Sequence, residues 1–183
     1  MIRRFFLAAI FALATALLPL ASFAQLTQTQ LVTLKAAIAA DLVLSAMPRT
    51  ADTAYFIAAE FSKQPAVPYI VWKTAVDRNE VGKAFVATAL AGITAGNNDK
   101  LANFAAWNQM INPSRADQRA FFDDVFNGAA GATTRTALLA LWKRPSTVVE
   151  KLFATGTGTD ATPSTLIYEG GLTYADIYAA WGV

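Results

Sequence analysis

The chain has 183 residues, of which 55% are hydrophobic and 15% charged, a composition typical of one globular domain. Its formal charge of +2 comes from Arg3 and Arg4, and the even balance of acidic and basic residues in the remainder argues against a nucleic-acid partner. Cysteine and histidine are both absent, which excludes disulfides, thiolate or imidazole catalysis, and metal sites built on those residues.

Residues 1–24 have the layout of a secretory signal peptide. Two arginines precede an apolar run, and the small residues Ser22 and Ala24 stand where a signal peptidase reads the chain before Gln25. The apolar run is shorter than the roughly 20 residues that a bilayer span requires. The pattern therefore predicts cleavage after residue 24, a folded domain over 25–183, no stable membrane span after removal of the signal, and a periplasmic or secreted location.

The first elements of the mature chain are predicted to be two helices. Thr27 and Gln30 form a capping-box pattern, and the apolar spacing that follows predicts a helix to near Asp41. A second helix is predicted from near Thr50 to Phe61, because prolines follow on its C-terminal side.

Two short β-rich runs predict the only sheet. Residues 69–74 are β-branched and aromatic, and residues 165–168 form a second such run. A lone strand leaves its backbone groups unpaired, so we expect these two runs to pair with each other.

The remaining elements are predicted to be helical, with loops at the glycine-rich stretches. A helix is expected to start at Asp77, another to span 98–111, and another to carry Phe121 and Phe122 to a stop at 127–128. Later helices are predicted from Thr134 to about Pro145, from Thr147 with a second capping box at Glu150, and over 173–181. The sequence thus predicts a mainly α fold, a single domain of about six helices with a small two-stranded β element.

Several groups of residues could bind a ligand or catalyse a reaction, but each has a structural explanation. The segment 155–160 contains two glycines but lacks the lysine of a phosphate-binding loop, so it is interpreted as a surface turn. Asp123 and Asp124 are adjacent, which points them about 100° apart on a helix. Lys143, Arg144 and Lys151 are interpreted as cations near a helix end, where the helix dipole favours them.

The tryptophans and glutamates were interpreted in the same way. The four tryptophans, Trp72, Trp107, Trp142 and Trp181, are expected to be core or half-buried aromatics rather than the lining of a ligand groove. The four glutamates considered as catalytic acids are interpreted as helix-end or strand-end charges: Glu60, Glu80, Glu150 and Glu169. No catalytic, cofactor-binding or metal-binding residue is predicted, no cofactor is expected, and the chain is predicted not to be an enzyme.

Long stretches of the chain resemble a group of uncharacterised proteins encoded among the head and tail morphogenesis genes of tailed phages and prophages. The similarity is carried by segments at 34–38, 71–76, 119–126, 137–144, 150–158, 161–165, 168–170 and 174–177. It covers most of residues 26–181, and no catalytic or binding residue comes with it. The resemblance implies a virion component or assembly factor made in the cytoplasm.

Two hypotheses remain open at this stage. The first is a non-catalytic structural or interaction protein of phage type, which contacts other virion proteins or copies of itself; the loops at 128–133 and 155–160 are its expected contact elements. The second is an exported periplasmic protein with a ligand-binding or cell-wall hydrolytic role. The signal-like N-terminus departs from the virion pattern, so either the domain has been recruited for export or residues 1–24 do not act as a signal, which would place the protein in the host cytoplasm and the virion.

Overall fold

The computed structural model describes residues 26–182, and the predicted signal segment lies outside the described residues. The mainly helical fold is confirmed. Along residues 26–182 the ten α-helices are α1 (Gln28–Ala40), α2 (Leu42–Ser45), α3 (Ala51–Phe61), α4 (Arg78–Lys83), α5 (Ala87–Gly92), α6 (Ala95–Trp107), α7 (Ala116–Val125), α8 (Ala132–Trp142), α9 (Val148–Phe153) and α10 (Tyr174–Gly182). The sequence predicted about six, because helices as short as α2 and α5 contain too few turns to show a periodic pattern.

Local capping signals formed as predicted. The Thr27 side chain accepts a hydrogen bond from the amide of Gln30, whose side chain in turn accepts one from the Thr27 amide. Thr147 and Glu150 make the same reciprocal pair at the start of α9. These bonds satisfy donors that the first helical turn leaves without a partner.

Two small antiparallel sheets are present in the described residues, and the predicted strand pairing is wrong. β1 (Ile70–Trp72) pairs with β4 (Lys143–Pro145), and β2 (Val76–Asp77) pairs with β3 (Met110–Ile111). Residues 165–168 form no strand. Ser164 alone lies beside β1, where it accepts from the Trp72 amide at 3.0 Å and donates to the Ile70 carbonyl at 2.9 Å.

The strands β3 and β4, which the sequence did not predict, form where α6 and α8 end. The predicted helix over 98–111 stops at Trp107, because the side-chain amide of Asn108 donates to the Phe104 carbonyl and the backbone turns to an extended conformation. Pro145 cannot continue α8, so the residues after Trp142 become extended and pair with β1 instead.

The core consists of two clusters of buried residues. The first cluster lies between α1, α3, α9 and α10, and includes Leu34, Ile57 and Ile177. The second lies between α4, α5, α7 and α8, and includes Phe122 and Leu138. Because β4 follows α8 and precedes α9, the chain passes from the second cluster to the first through the β1–β4 sheet.

No helix within residues 26–182 is long and apolar enough to cross a membrane.

Candidate functional site

The outer face of α3 and α10 carries an exposed row of aromatic side chains, which we call the aromatic ladder. Its members are Tyr55 on α3 and Tyr174, Tyr178 and Trp181 on α10. The three α10 residues are spaced by four and three positions, so they lie on one side of the helix.

The rings of the ladder contact one another in sequence. Ring centroids lie 4.8 Å apart for Tyr55 and Tyr174, 6.3 Å for Tyr174 and Tyr178, and 5.3 Å for Tyr178 and Trp181, with the last two pairs edge to face. Tyr55 is 56% exposed, Tyr174 44% and Tyr178 42%, and Trp181 is half-buried. The ladder is therefore an aromatic surface in contact with water.

A well-packed pair of helices supports this surface. The inner faces of α3 and α10 bury Ala54, Ile57, Ile177 and Ala180 completely. Thr173 directly precedes α10, and its hydroxyl and amide both donate to the Asp176 carboxylate at 2.7 Å. The ladder is thus held on rigid elements, as an interaction surface requires.

Part of the ladder is visible in the sequence as a pattern of aromatic residues on one face of a helix. The spacing of Tyr174, Tyr178 and Trp181 marks one helix face, but the prediction treated Trp181 only as a core or half-buried aromatic. Tyr55 joins the row through packing of two helices that are more than a hundred residues apart, and no local pattern predicts that contact.

The four tryptophans fall into different environments. Trp72 and Trp142 are buried and Trp181 is half-buried, as predicted. Trp107, at the end of α6, is 87% exposed, so the prediction is wrong for this residue. Ending α6 at Trp107 leaves this indole in solvent, while Phe104 one turn earlier contacts the core.

Lys143 and Arg144 directly follow the end of α8, and Lys151 lies in the last turn of α9, so the predicted position near a helix end is confirmed, but Arg144 has a further role that the sequence did not indicate. Lys143 and Arg144 lie on β4, because α8 has already ended. The Arg144 guanidinium donates two hydrogen bonds of 2.7 Å to Glu150 and a third, of 2.9 Å, to Glu169. Glu169 also accepts from the Thr74 hydroxyl. This ion-pair cluster ties β4, α9 and the segment before α10 together.

The opposite charges of Arg144 and Glu150 stabilise each other's ionised forms. The Glu150 side chain is only 4% exposed. Burial opposes its ionisation, but the bonds from Arg144 and from the Thr147 amide outweigh that cost and hold the pKa of Glu150 below its ordinary value. The hydrogen bonds to Glu150 raise the pKa of Arg144. Arg144 and Glu150 therefore bond to each other, as expected of residues with a structural role.

The other carboxylates weighed as catalytic acids are exposed or half-buried surface charges. Asp123 and Asp124 are exposed, and Asp124 pairs with Lys100 at 2.9 Å. Glu60 pairs with Lys63, which lies just past the end of α3, and Glu80 pairs with Lys83 on α4. Within residues 26–182, no group of three acidic side chains is placed to hold a metal ion.

The two glycine-rich segments expected to act as contact loops make internal contacts. Residues 129–131 form a 3₁₀-helix, and a Cβ at Gly131 would lie 2.2 Å from the Phe126 carbonyl oxygen. In the segment 155–160, Gly158 lies under the ring of Tyr69, whose hydroxyl donates to the Gly156 carbonyl.

A second surface feature is a cleft of about 420 Å³ between α4 and α6. Its apolar lining consists of seven side chains: Val81, Phe85, Leu101, Phe104, Ala105, Ile111 and Phe122. Two basic residues of α4, Arg78 and Lys83, stand at its rim. No local sequence pattern indicates this cleft, because it forms only where β3 and α7 bring Ile111 and Phe122 against α4.

Comparison of the chain with protein-family models, with curated proteins and with solved structures gave no match. The fold and the ladder define this protein as a mainly helical one with an exposed aromatic surface.

Proposed function

We propose that this protein is a non-catalytic interaction protein that binds another protein through the aromatic ladder. The observation that carries the proposal is the continuous row of solvent-exposed aromatic rings on α3 and α10, which extends from Tyr55 to Trp181. Tyrosine and tryptophan are enriched at protein interfaces and at the positions that contribute most to affinity.

The physical basis is the low cost of ordering these side chains. Each ring is already held by its neighbour, and a tyrosine has only two side-chain torsions to fix on binding. Within residues 26–182, the hydroxyls of Tyr55, Tyr174 and Tyr178 make no intramolecular hydrogen bond, so they remain available to a partner. A protein surface that offers both backbone acceptors and apolar area fits this combination best.

The sequence resemblance supplies the biological setting of the proposal: a virion component or assembly factor of phage type, whose partners are copies of itself or other virion proteins. A working signal at residues 1–24 would place the same association in the periplasm or outside the cell. The loops at 128–133 and 155–160 are not part of the proposed surface, because both are engaged within the protein.

The test is sedimentation velocity of the protein obtained by expressing the full chain, over a hundredfold range of concentration, alone and with the purified products of neighbouring virion genes. We expect a complex in at least one case. Tyr178→Ser is expected to raise its dissociation constant at least tenfold, which is the loss of about 1.4 kcal/mol or more typical of a central interface residue.

The matched control is Ile167→Ser, which removes an apolar side chain that is 69% exposed and lies outside the ladder. This variant should leave the dissociation constant unchanged, and far-UV circular dichroism should be the same for both variants. A wild-type protein that stays monomeric with every partner, or a complex that Tyr178→Ser and Ile167→Ser weaken equally, would contradict the proposal.

A further inference from the structure

The cleft between α4 and α6 has the dimensions and the lining of a small-molecule site. Its volume of about 420 Å³ falls in the range of roughly 300–1,000 Å³ found for ligand pockets, which are mostly apolar with a few polar groups. Ile111 and Phe122, at its base, are buried in the second core cluster. Leu101 and Phe104, on its α6 side, are only half-buried, so apolar surface faces the open volume.

The rim of this cleft is positively charged. Its polar residues are Arg78, Asn79 and Lys83, and no carboxylate of residues 26–182 lines it. The two other large clefts in the described part of the chain differ: one contains Glu169 and no basic residue, and the other combines two carboxylates with Lys151. Of these three clefts, charge complementarity therefore favours an anion only at the one between α4 and α6.

Arg78 has the bonding capacity to receive that anion. Its Nη1 donates to the Ala105 carbonyl across the cleft, and within residues 26–182 it forms no ion pair. A guanidinium has five N–H donors in a planar fork that matches a carboxylate, so most of its donors remain for a ligand. Lys83 pairs with Glu80 on the helix surface, an exposed arrangement that holds the lysine only weakly.

From these observations we infer that the α4–α6 cleft binds an anionic amphiphile, a molecule with an apolar tail and a single carboxylate. The tail lies between Leu101, Phe104 and Phe122, and the carboxylate binds Arg78, with Lys83 as the second cation at the mouth. This inference does not depend on the proposed function, because the ladder lies on the first core cluster and the cleft on the second.

The first test compares three probes that share one tail and differ in head charge. Decanoate, decanol and decyltrimethylammonium are titrated by calorimetry into the protein obtained from the full chain, the two ionic probes below their micelle concentrations and decanol below its solubility limit. We expect decanoate to bind at least tenfold more tightly than decanol, and the cationic probe to bind more weakly than either.

Two variants locate the binding. Arg78→Gln should reduce decanoate affinity at least tenfold, to the level of decanol, and leave decanol affinity unchanged. Arg135→Gln is its control, because Arg135 also donates to a backbone carbonyl and has no ion pair among the described residues, but does not line the cleft. Gly82→Leu places a side chain in the cleft, where a Cβ meets no atom within 4 Å, and should abolish binding of all three probes.

The control for Gly82→Leu is Gly96→Leu, at an equally open helical position that does not line the cleft. Wild-type circular dichroism in all four variants shows that they are folded. The inference is overturned if decanoate does not bind, if it binds no better than decanol, or if Arg78→Gln or Gly82→Leu leaves its affinity at the wild-type value.

Discussion

At the scale of single residues, Arg144 joins three elements of the fold through its guanidinium. Its bonds to Glu150 and Glu169 join β4 to α9 and to the segment before α10. Glu150 is buried, so removing the guanidinium would leave a carboxylate with no cation in a site of low polarity.

Arg144→Gln is therefore expected to lower the free energy of unfolding by about 3 kcal/mol, at the low end for a broken buried pair because Arg144 is partly exposed. Urea unfolding at pH 7 measures it. Arg115→Gln, which breaks the exposed pair with Asp117, should shift the urea midpoint little. The double variant Arg144→Gln with Glu150→Gln should recover part of the loss, because no buried charge is then left unpaired. A midpoint shift as small as that of Arg115→Gln would contradict this role.

The same pair predicts a pH dependence. The pKa of Glu150 is lowered in the folded state, so its contribution is fully present above the ordinary glutamate value of about 4.3 and is lost as pH falls through the lower folded pKa. Part of the acid destabilisation of the wild type below that pH should be missing in Glu150→Gln. Urea midpoints of both proteins between pH 7 and pH 3 test the difference.

Residue-scale features show where sequence reasoning succeeded and where it could not. The capping boxes at Thr27 and Thr147 were predictable because both partners lie within three residues of each other. The role of Arg144 was not, because it requires that β4 form and that Glu169, 25 residues away, fold back against it. For the same reason the contact between Tyr55 and Tyr174 could not be predicted.

At the scale of elements, the segment 155–160 is packed more tightly than its composition indicates. Two glycines in six residues favour a flexible surface turn, and the sequence interpretation used it as an adaptable contact loop. In the structure its flanks are tied by paired amide and carbonyl groups of Thr155 and Thr165 at 2.9 Å, and Lys143 donates to Asp160. Gly158 has a φ of +66°, and a Cβ there would lie 2.2 Å from the Tyr69 ring.

Gly158→Ala is accordingly expected to destabilise the protein, because the left-handed backbone alone costs an alanine about 1–2 kcal/mol and the ring of Tyr69 must also move. Gly96→Ala, in the first turn of α6 with open space around its Cβ, should have the opposite sign and stabilise by about 0.4–1 kcal/mol, because alanine leaves the unfolded chain fewer conformations. Thermal unfolding of the two variants beside the wild type makes the comparison. If Gly158→Ala is neutral, the segment adapts freely, and the sequence-based expectation of a contact loop regains its physical basis.

The length of the elements explains the remaining errors of the sequence-based prediction. The strands have two or three residues, and α2 and α5, which were not predicted as separate helices, have four and six, which is less than the window in which hydrophobic periodicity can be recognised. α4 and α9 are equally short, but the capping residues Asp77 and Thr147 predicted where they start. The longer helices α1, α3 and α7 were predicted close to their observed positions. The candidate site was less predictable than the fold, since both the ladder and the cleft form between elements distant in the chain.

For the whole molecule, the division of the core raises the question of cooperativity. The first cluster contains the helices that carry the ladder, and the second contains the base of the cleft. The two meet at the β1–β4 sheet, where Val71 is fully buried, Trp72 belongs to the second cluster, and Val149 of the first follows β4 by four residues. Short connections through a shared sheet should couple the clusters into one unfolding unit, consistent with the single domain that the sequence predicts.

Two matched leucine substitutions test this coupling. Leu34 in the first cluster is fully buried, and Leu138 in the second is 1% exposed. Each leucine-to-alanine change should lower the free energy of unfolding by about 2–5 kcal/mol through lost burial and the cavity left behind.

In a single cooperative unit, either variant lowers the midpoint of one unfolding transition, and the midpoint is the same by far-UV circular dichroism and by tryptophan fluorescence. Trp72 and Trp142 belong to the second cluster, whereas Trp181 packs against the first. If the clusters were separate units, Leu34→Ala would lower the circular dichroism midpoint and split the fluorescence change, because the part from Trp72 and Trp142 would stay at the wild-type midpoint. Coincident shifts from both variants would show that a partner bound at the ladder also stabilises the helices around the cleft, because ligand binding to any part of a cooperative unit stabilises the whole.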